Sequence, residues 1–129
     1  MEAVHLDTHV VVWLFNSDQS LDLLSKRARA AIEEATELLV SPAVLLELAL
    51  LRETGRITAG AQEVLVALQG TIGLDLADES FTVVATEAAR LAWTRDPFDR
   101  LIAAQAKTGG ASLVTRDRTI RANMKTAIW

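Results

Sequence analysis

The sequence predicts an α/β fold in three layers, α/β/α, with helices on both faces of a central, mainly parallel sheet. Three observations point there. Short apolar runs alternate with segments of helical periodicity along the chain. The few glycines and two prolines fall between those segments, where they punctuate secondary structure. Acidic residues stand at the predicted strand ends, the edge beyond which open α/β sheets bind ligands.

Ala3 to Leu6 is a short apolar run ending at Asp7, read as a strand, and Thr8 is placed to cap a helix through Val10, Val11, Leu14 and Phe15. Leu21 to Glu37 shows apolar or alanine positions at helical spacing with charges between them, and Leu38-Leu39-Val40 reads as a buried strand. Ser41-Pro42 starts a helix, serine as cap and proline in the first turn, and Thr54-Gly55 ends it. Ala61 to Leu68 reads as helix, Phe81 to Val84 as extended chain, and Thr86 to Trp93 as helix with Thr86 as its cap. Asp96-Pro97 opens a helix to Lys107, Gly109-Gly110 stops it, and Ser112 to Thr115 forms a strand just before Asp117.

No repeat, low-complexity tract or linker interrupts the 129 residues, so residues 1–129 read as a single domain. Half the residues are apolar, enough for a core without disulfides or a structural metal. The absence of cysteine excludes thiolate zinc sites and thiol nucleophiles. An acid at Glu2 and an apolar run no longer than Val10 to Phe15 argue against a signal peptide or a membrane span, so the expected location is the cytoplasm. The formal charge of −4 gives no global attraction to nucleic acid; any such interface must rest on local charge.

Four acids invite a common role. Asp7 follows the first strand, Asp117 lies two residues past the last, and Asp99 sits in the first turn of the helix between Asp96-Pro97 and Lys107. Glu47 interrupts an apolar helix, with Ala43, Val44, Leu50 and Leu51 as its neighbours at helical spacing. A carboxylate on such a face is costly unless hydrogen-bonded, paired with a cation or bound to metal. Gathered carboxylates repel one another and call for a compensating cation. Mg²⁺ or Mn²⁺ suits all-oxygen donors, and such an ion acidifies water and stabilises charge on a phosphoryl oxygen, the chemistry of phosphodiester hydrolysis.

Ordinary structural roles stay open beside this one. Asp96 is the expected cap before Pro97; Asp99 can serve the helix dipole or a capping box; Asp7 and Asp117 can be turn residues; Glu47 can pair with an arginine. His5 and His9 flank Asp7 but fall in a strand and a helix start, and both read as structural. Trp13, Trp93 and Trp129 have apolar surroundings and read as core or dimer contacts rather than base-stacking platforms. Arg95, Arg100, Arg116, Arg118, Arg121 and Lys125 gather positive charge beside the proposed site, either for RNA phosphates or as a solvated surface.

Two blocks carry a family resemblance: Arg95-Asp96-Pro97-Phe98-Asp99-Arg100-Leu101-Ile102-Ala103-Ala104-Gln105-Ala106, and Leu113-Val114-Thr115-Arg116-Asp117. Together with the opening Leu6-Asp7-Thr8-His9, the acid in the helix after Ser-Pro and the closing Trp129, they resemble the PIN domain, and in particular VapC-type toxins of type II toxin–antitoxin systems. The resemblance makes Asp7, Glu47, Asp99 and Asp117 the metal-holding and catalytic acids, with Thr8, Thr115 and Asp96 supporting them and Arg95, Arg100, Arg116 and Arg118 as candidate RNA contacts. It implies a PIN-like fold, a Mg²⁺- or Mn²⁺-dependent endoribonuclease leaving 5′-phosphate and 3′-hydroxyl ends, a cognate VapB-like antitoxin that covers the site, and a homodimer. The competing expectations are a PIN nuclease of RNA processing without an antitoxin, and a noncatalytic α/β binding module whose acids only cap helices and pair with arginines.

Overall fold

The computed structural model describes residues 2–16 and 21–129. Strand β1 (Ala3–Leu6) lies at the centre of a five-stranded sheet of order β3-β2-β1-β4-β5, formed with β2 (Glu37–Val40), β3 (Leu74–Leu76), β4 (Ser112–Val114) and β5 (Ala127–Ile128). Every neighbouring pair is parallel, with His5 opposite Leu39 on one side and Leu113 on the other. The strands read as apolar runs because helices flank the sheet: Leu6, Leu74, Leu113 and Val114 are fully buried. The α-helices among the described residues are α1 (Thr8–Phe15), α2 (Lys26–Glu34), α3 (Ala43–Glu53), α4 (Ala61–Ile72), α5 (Phe81–Ala88), α6 (Pro97–Thr108) and α7 (Arg118–Asn123). Among the described residues, no helix is long and apolar enough to cross a membrane.

The topology prepares a crevice. From β1 the chain builds outward through β2 to β3, then returns through α5 and α6 to place β4 on the other side of β1. The order therefore reverses between β1 and β4, and chains leaving their carboxyl ends diverge to opposite faces. Asp7 and Asp117 occur just beyond those two ends.

Local chemistry sets most element boundaries. Ser41 Oγ accepts from the Ala43 amide at 3.2 Å, Pro42 already has helical backbone (φ −54°, ψ −23°), and Gly55 leaves α3 with φ 78°. Asp96 Oδ1 accepts from the amides of Phe98 and Asp99, at 2.8 and 3.2 Å, so it is the cap expected before Pro97.

The structure corrects four element expectations. Asp7, not Thr8, caps α1, its Oδ1 accepting from the Thr8 amide at 2.8 Å. The segment from Leu21 to Glu37 is not one helix. It comprises a short 3₁₀ turn at Leu21–Leu23, then α2 behind Ser25, whose Oγ accepts from the Ala28 amide at 3.0 Å, and Glu37 already belongs to β2. Phe81 to Val84 is helical, because Ser80 caps α5 through the Val83 amide at 3.3 Å, and this local bond overrides the β preference of the side chains. Thr86 consequently lies inside α5, its hydroxyl donating to the Thr82 carbonyl at 2.7 Å.

Candidate active site

Asp7 is the most enclosed of the four acids, with 5% of its surface exposed. One oxygen caps α1, and the other accepts from the Thr115 hydroxyl at 2.6 Å. That hydroxyl oxygen in turn accepts from the Asp117 amide at 3.1 Å, so a single threonine ties the end of β1 to the loop after β4. Asp117 caps α7, its Oδ1 accepting from the Ile120 amide at 2.8 Å. Glu47 is half-buried on α3, and its Oε1 accepts from the Thr8 hydroxyl at the start of α1. Asp99 is half-buried in the first turn of α6, and no hydrogen bond to its carboxylate is found among the described residues.

The acids feel one another's charge. Burial, followed by the charges of Asp96, Asp7, Asp117 and Glu47, pushes the Asp99 carboxyl from 3.8 up to about 7. Burial likewise raises Asp7 against the opposing bonds from Thr115 and the Thr8 amide, and raises Glu47 against the bond from Thr8. Both ion pairs found among the described residues lie elsewhere, Arg29 with Asp22 and Lys107 with Glu87, so the arginine partner that would make Glu47 a structural acid is not there. As placed, no three His, Cys, Asp or Glu groups among the described residues form a metal-holding set. The donor chemistry is that of hard divalent cations: carboxylate oxygens, two of them oriented by hydroxyls, and those of Asp99 without a hydrogen-bond partner among the described residues.

Of the expected supporting residues, Thr8 and Thr115 touch the acids directly, and Asp96 holds the turn that carries Asp99. Arg95, Arg116 and Arg118 are exposed beside the loops bearing the acids. Arg100 is half-buried, its Nε donating to the Thr94 carbonyl at 2.7 Å, which braces the turn before α6. His5 is buried, neither ring nitrogen is hydrogen-bonded among the described residues, and burial lowers its proton affinity, which favours the neutral ring.

Sequence reasoning missed a second buried network. Ser41 Oγ donates to Gln105 Oε1 at 3.1 Å, and Gln105 Nε2 donates to Glu79 Oε1 at 2.9 Å, which locks the start of α3 to α6 and hence Glu47 to Asp99. The one signal was a glutamine among Ile102, Ala103, Ala104 and Ala106 on a buried helix.

Thr115→Val tests the tie between Asp7 and Asp117. It keeps the shape, removes the hydroxyl, and is expected to weaken divalent-metal binding about 10- to 100-fold while costing about 1–3 kcal/mol of stability. Calorimetric metal titration and thermal melting check both, and unchanged metal affinity would refute the positioning role.

Comparison with known proteins shows the family. The chain is 41% identical over 130 aligned residues to Ribonuclease VapC22 of Mycobacterium tuberculosis, covering 95% of this chain and 93% of that protein. Its fold is similar to that in a crystal structure of VapBC2 from Rickettsia felis bound to a DNA fragment from its promoter (TM-score 0.65, 20% identity, 97% and 96% of the chains covered). It is also similar to that in DNA-bound VapBC from Salmonella typhimurium (TM-score 0.57, 19% identity, 94% and 92% covered). The model of the PIN domain matches residues 4–124, from the first strand to the end of the last helix, and with the VapC22 relationship this places the chain in the PIN domain family.

Proposed function

We propose that residues 1–129 act as a single-domain, divalent-metal-dependent endoribonuclease, the toxin of a VapBC-type toxin–antitoxin pair. The observation that supports the reading is that Asp99 feels the charges of Asp7, Glu47 and Asp117, each carried by a separate element, with no ion-pair partner for these acids among the described residues. Kinship with a protein named as a ribonuclease supports the substrate class.

In this reading the four acids hold Mg²⁺ or Mn²⁺, which supplies a lowered pKa for water and charge stabilisation at the phosphoryl oxygen. The residues do the rest of the work. Thr115 keeps Asp7 and Asp117 facing the same crevice, Thr8 turns Glu47 toward it, and Asp96 fixes the turn from which Asp99 projects. Exposed Arg95, Arg116 and Arg118 hold flanking phosphates, overcoming locally the repulsion of a chain whose net charge is −4. Water adds to phosphorus and the bond to the 3′ oxygen breaks, leaving a 5′-phosphate and a 3′-hydroxyl. A VapB-like antitoxin covers the acids when the pair is assembled in the cytoplasm, and two copies of the chain form the toxin dimer.

Incubation of antitoxin-free protein with total cellular RNA, with Mg²⁺, with Mn²⁺ and with chelator, tests this. Discrete products in both metal samples and none with chelator are expected. Identical RNA patterns in every sample, across transfer, ribosomal and messenger RNA, would favour the noncatalytic binding module.

A further inference from the structure

An aromatic run leads away from the acids. His9 lies in the first turn of α1, one residue after the threonine that bonds Glu47, and it is exposed. Trp13 follows one turn later on the same helix face, its ring centroid 6.1 Å from that of His9 with the planes inclined by 43°. Trp129 meets Trp13 at 5.8 Å and 54°. Trp129 directly follows β5, and the carbonyl of Ile128 accepts from the Thr115 amide at 3.1 Å, so the C-terminal indole stands at the same sheet edge as Thr115, Asp7 and Asp117. The two indoles are half-buried against the hydrophobic core and are thereby fixed, whereas His9 faces solvent.

We propose that His9, braced by Trp13, which Trp129 backs in turn, is the stacking platform for a base of single-stranded RNA beside the phosphate presented to the acids. The inference rests on the ribonuclease reading and deepens it. An acidic crevice in a chain of charge −4 repels a polyanion, so affinity for RNA must come from local arginines and from contacts indifferent to charge. Stacking on an aromatic ring is such a contact: every base has a π face, and the gain does not depend on sequence. A ring held against a tilted aromatic neighbour loses little freedom when a base settles on it, which favours tight binding. The platform also accounts for an exposed aromatic ring one residue after Thr8, whose hydroxyl bonds Glu47.

The test uses the inactive Asp99→Asn protein, so that binding is read without cleavage, with Trp93→Phe added so that fluorescence reports only Trp13 and Trp129. A short single-stranded oligoribonucleotide of mixed sequence is titrated in Mg²⁺. Expected are quenching of tryptophan fluorescence on binding, affinity about 5- to 100-fold weaker in His9→Ala, and recovery of most of that loss in His9→Phe, which keeps a ring without the imidazole. On the active background, His9→Ala should raise KM with little change in kcat. Equal affinity in parent and His9→Ala, or His9→Phe no better than His9→Ala, overturns the platform. If the active protein still cleaves RNA in a metal-dependent way, that result leaves the ribonuclease reading standing. Failure of the active protein to cleave any RNA sinks the ribonuclease reading instead, and the binding comparison still decides for or against the platform.

Discussion

Asp99→Asn should abolish metal-dependent RNA cleavage, by about 10³-fold or more, and at the same time make the metal-free protein more stable at neutral pH. The two effects have one cause. Asp99 is half-buried, its carboxylate has no hydrogen-bond partner among the described residues, and it feels Asp96, Asp7, Asp117 and Glu47 together, so its negative charge is costly until a cation neutralises it. The amide has the same shape without the charge. The expected gain is about 1–2 kcal/mol, well below the full shift because the group faces solvent on one side. An ordinary structural acid behaves oppositely: removing a helix-favouring carboxylate lowers stability and leaves activity alone. Thermal melting in chelator, beside a cleavage assay, separates the cases.

Metal-free stability should fall as pH rises. Asp99 titrates near 7 in the fold against an ordinary value of 3.8, so the folded state binds its proton more tightly. The stabilisation from this group is fully present below about 3.8 and is lost as pH climbs through about 7. Asp7 and Glu47, also raised, add slope of the same sign. Divalent metal binds the ionised carboxylates and must displace the proton, so its stabilising effect should appear over the same interval and be greatest above pH 7. Melting curves from pH 4 to 8, with chelator and with Mn²⁺, should therefore diverge progressively toward the alkaline side, and curves that stay parallel would refute the shared-cation account.

The parts of the molecule that were legible in the sequence are those dictated by local chemistry. Asp96-Pro97 announces its helix because a side-chain acceptor and a fixed φ act within one turn, and Leu38 to Val40 announces its strand because a sheet covered on both faces needs continuous apolar residues. The four acids were visible as a pattern, and Glu47 was conspicuous as a charge on an apolar face. Less legible was whatever depends on distant partners. β3 is Leu74-Asp75-Leu76, three residues with an acid in the middle, and only pairing with Leu38 to Val40 defines it. β5 is two residues held by Leu113 and Val114, and α7 is a short helix started by Asp117 itself. Phe81 misled because its large apolar ring suggests a buried strand, whereas it stands on the surface of α5. Family resemblance singles out Thr8 and Thr115 but not their partners, since bonds spanning 39 and 108 residues leave no periodic trace. Gln105 and Glu79 were invisible for the same reason.

The most direct test of the central claim is calorimetric titration of the purified, antitoxin-free protein with Mn²⁺ at pH 7.5, repeated on Asp7→Asn, Glu47→Gln, Asp99→Asn and Asp117→Asn. If the acids share one cation, the wild type binds saturably and each substitution, in a protein that still melts cooperatively, weakens binding sharply. Wild-type binding that survives all four substitutions, or no binding at all by a protein that cleaves RNA in chelator, would contradict the account.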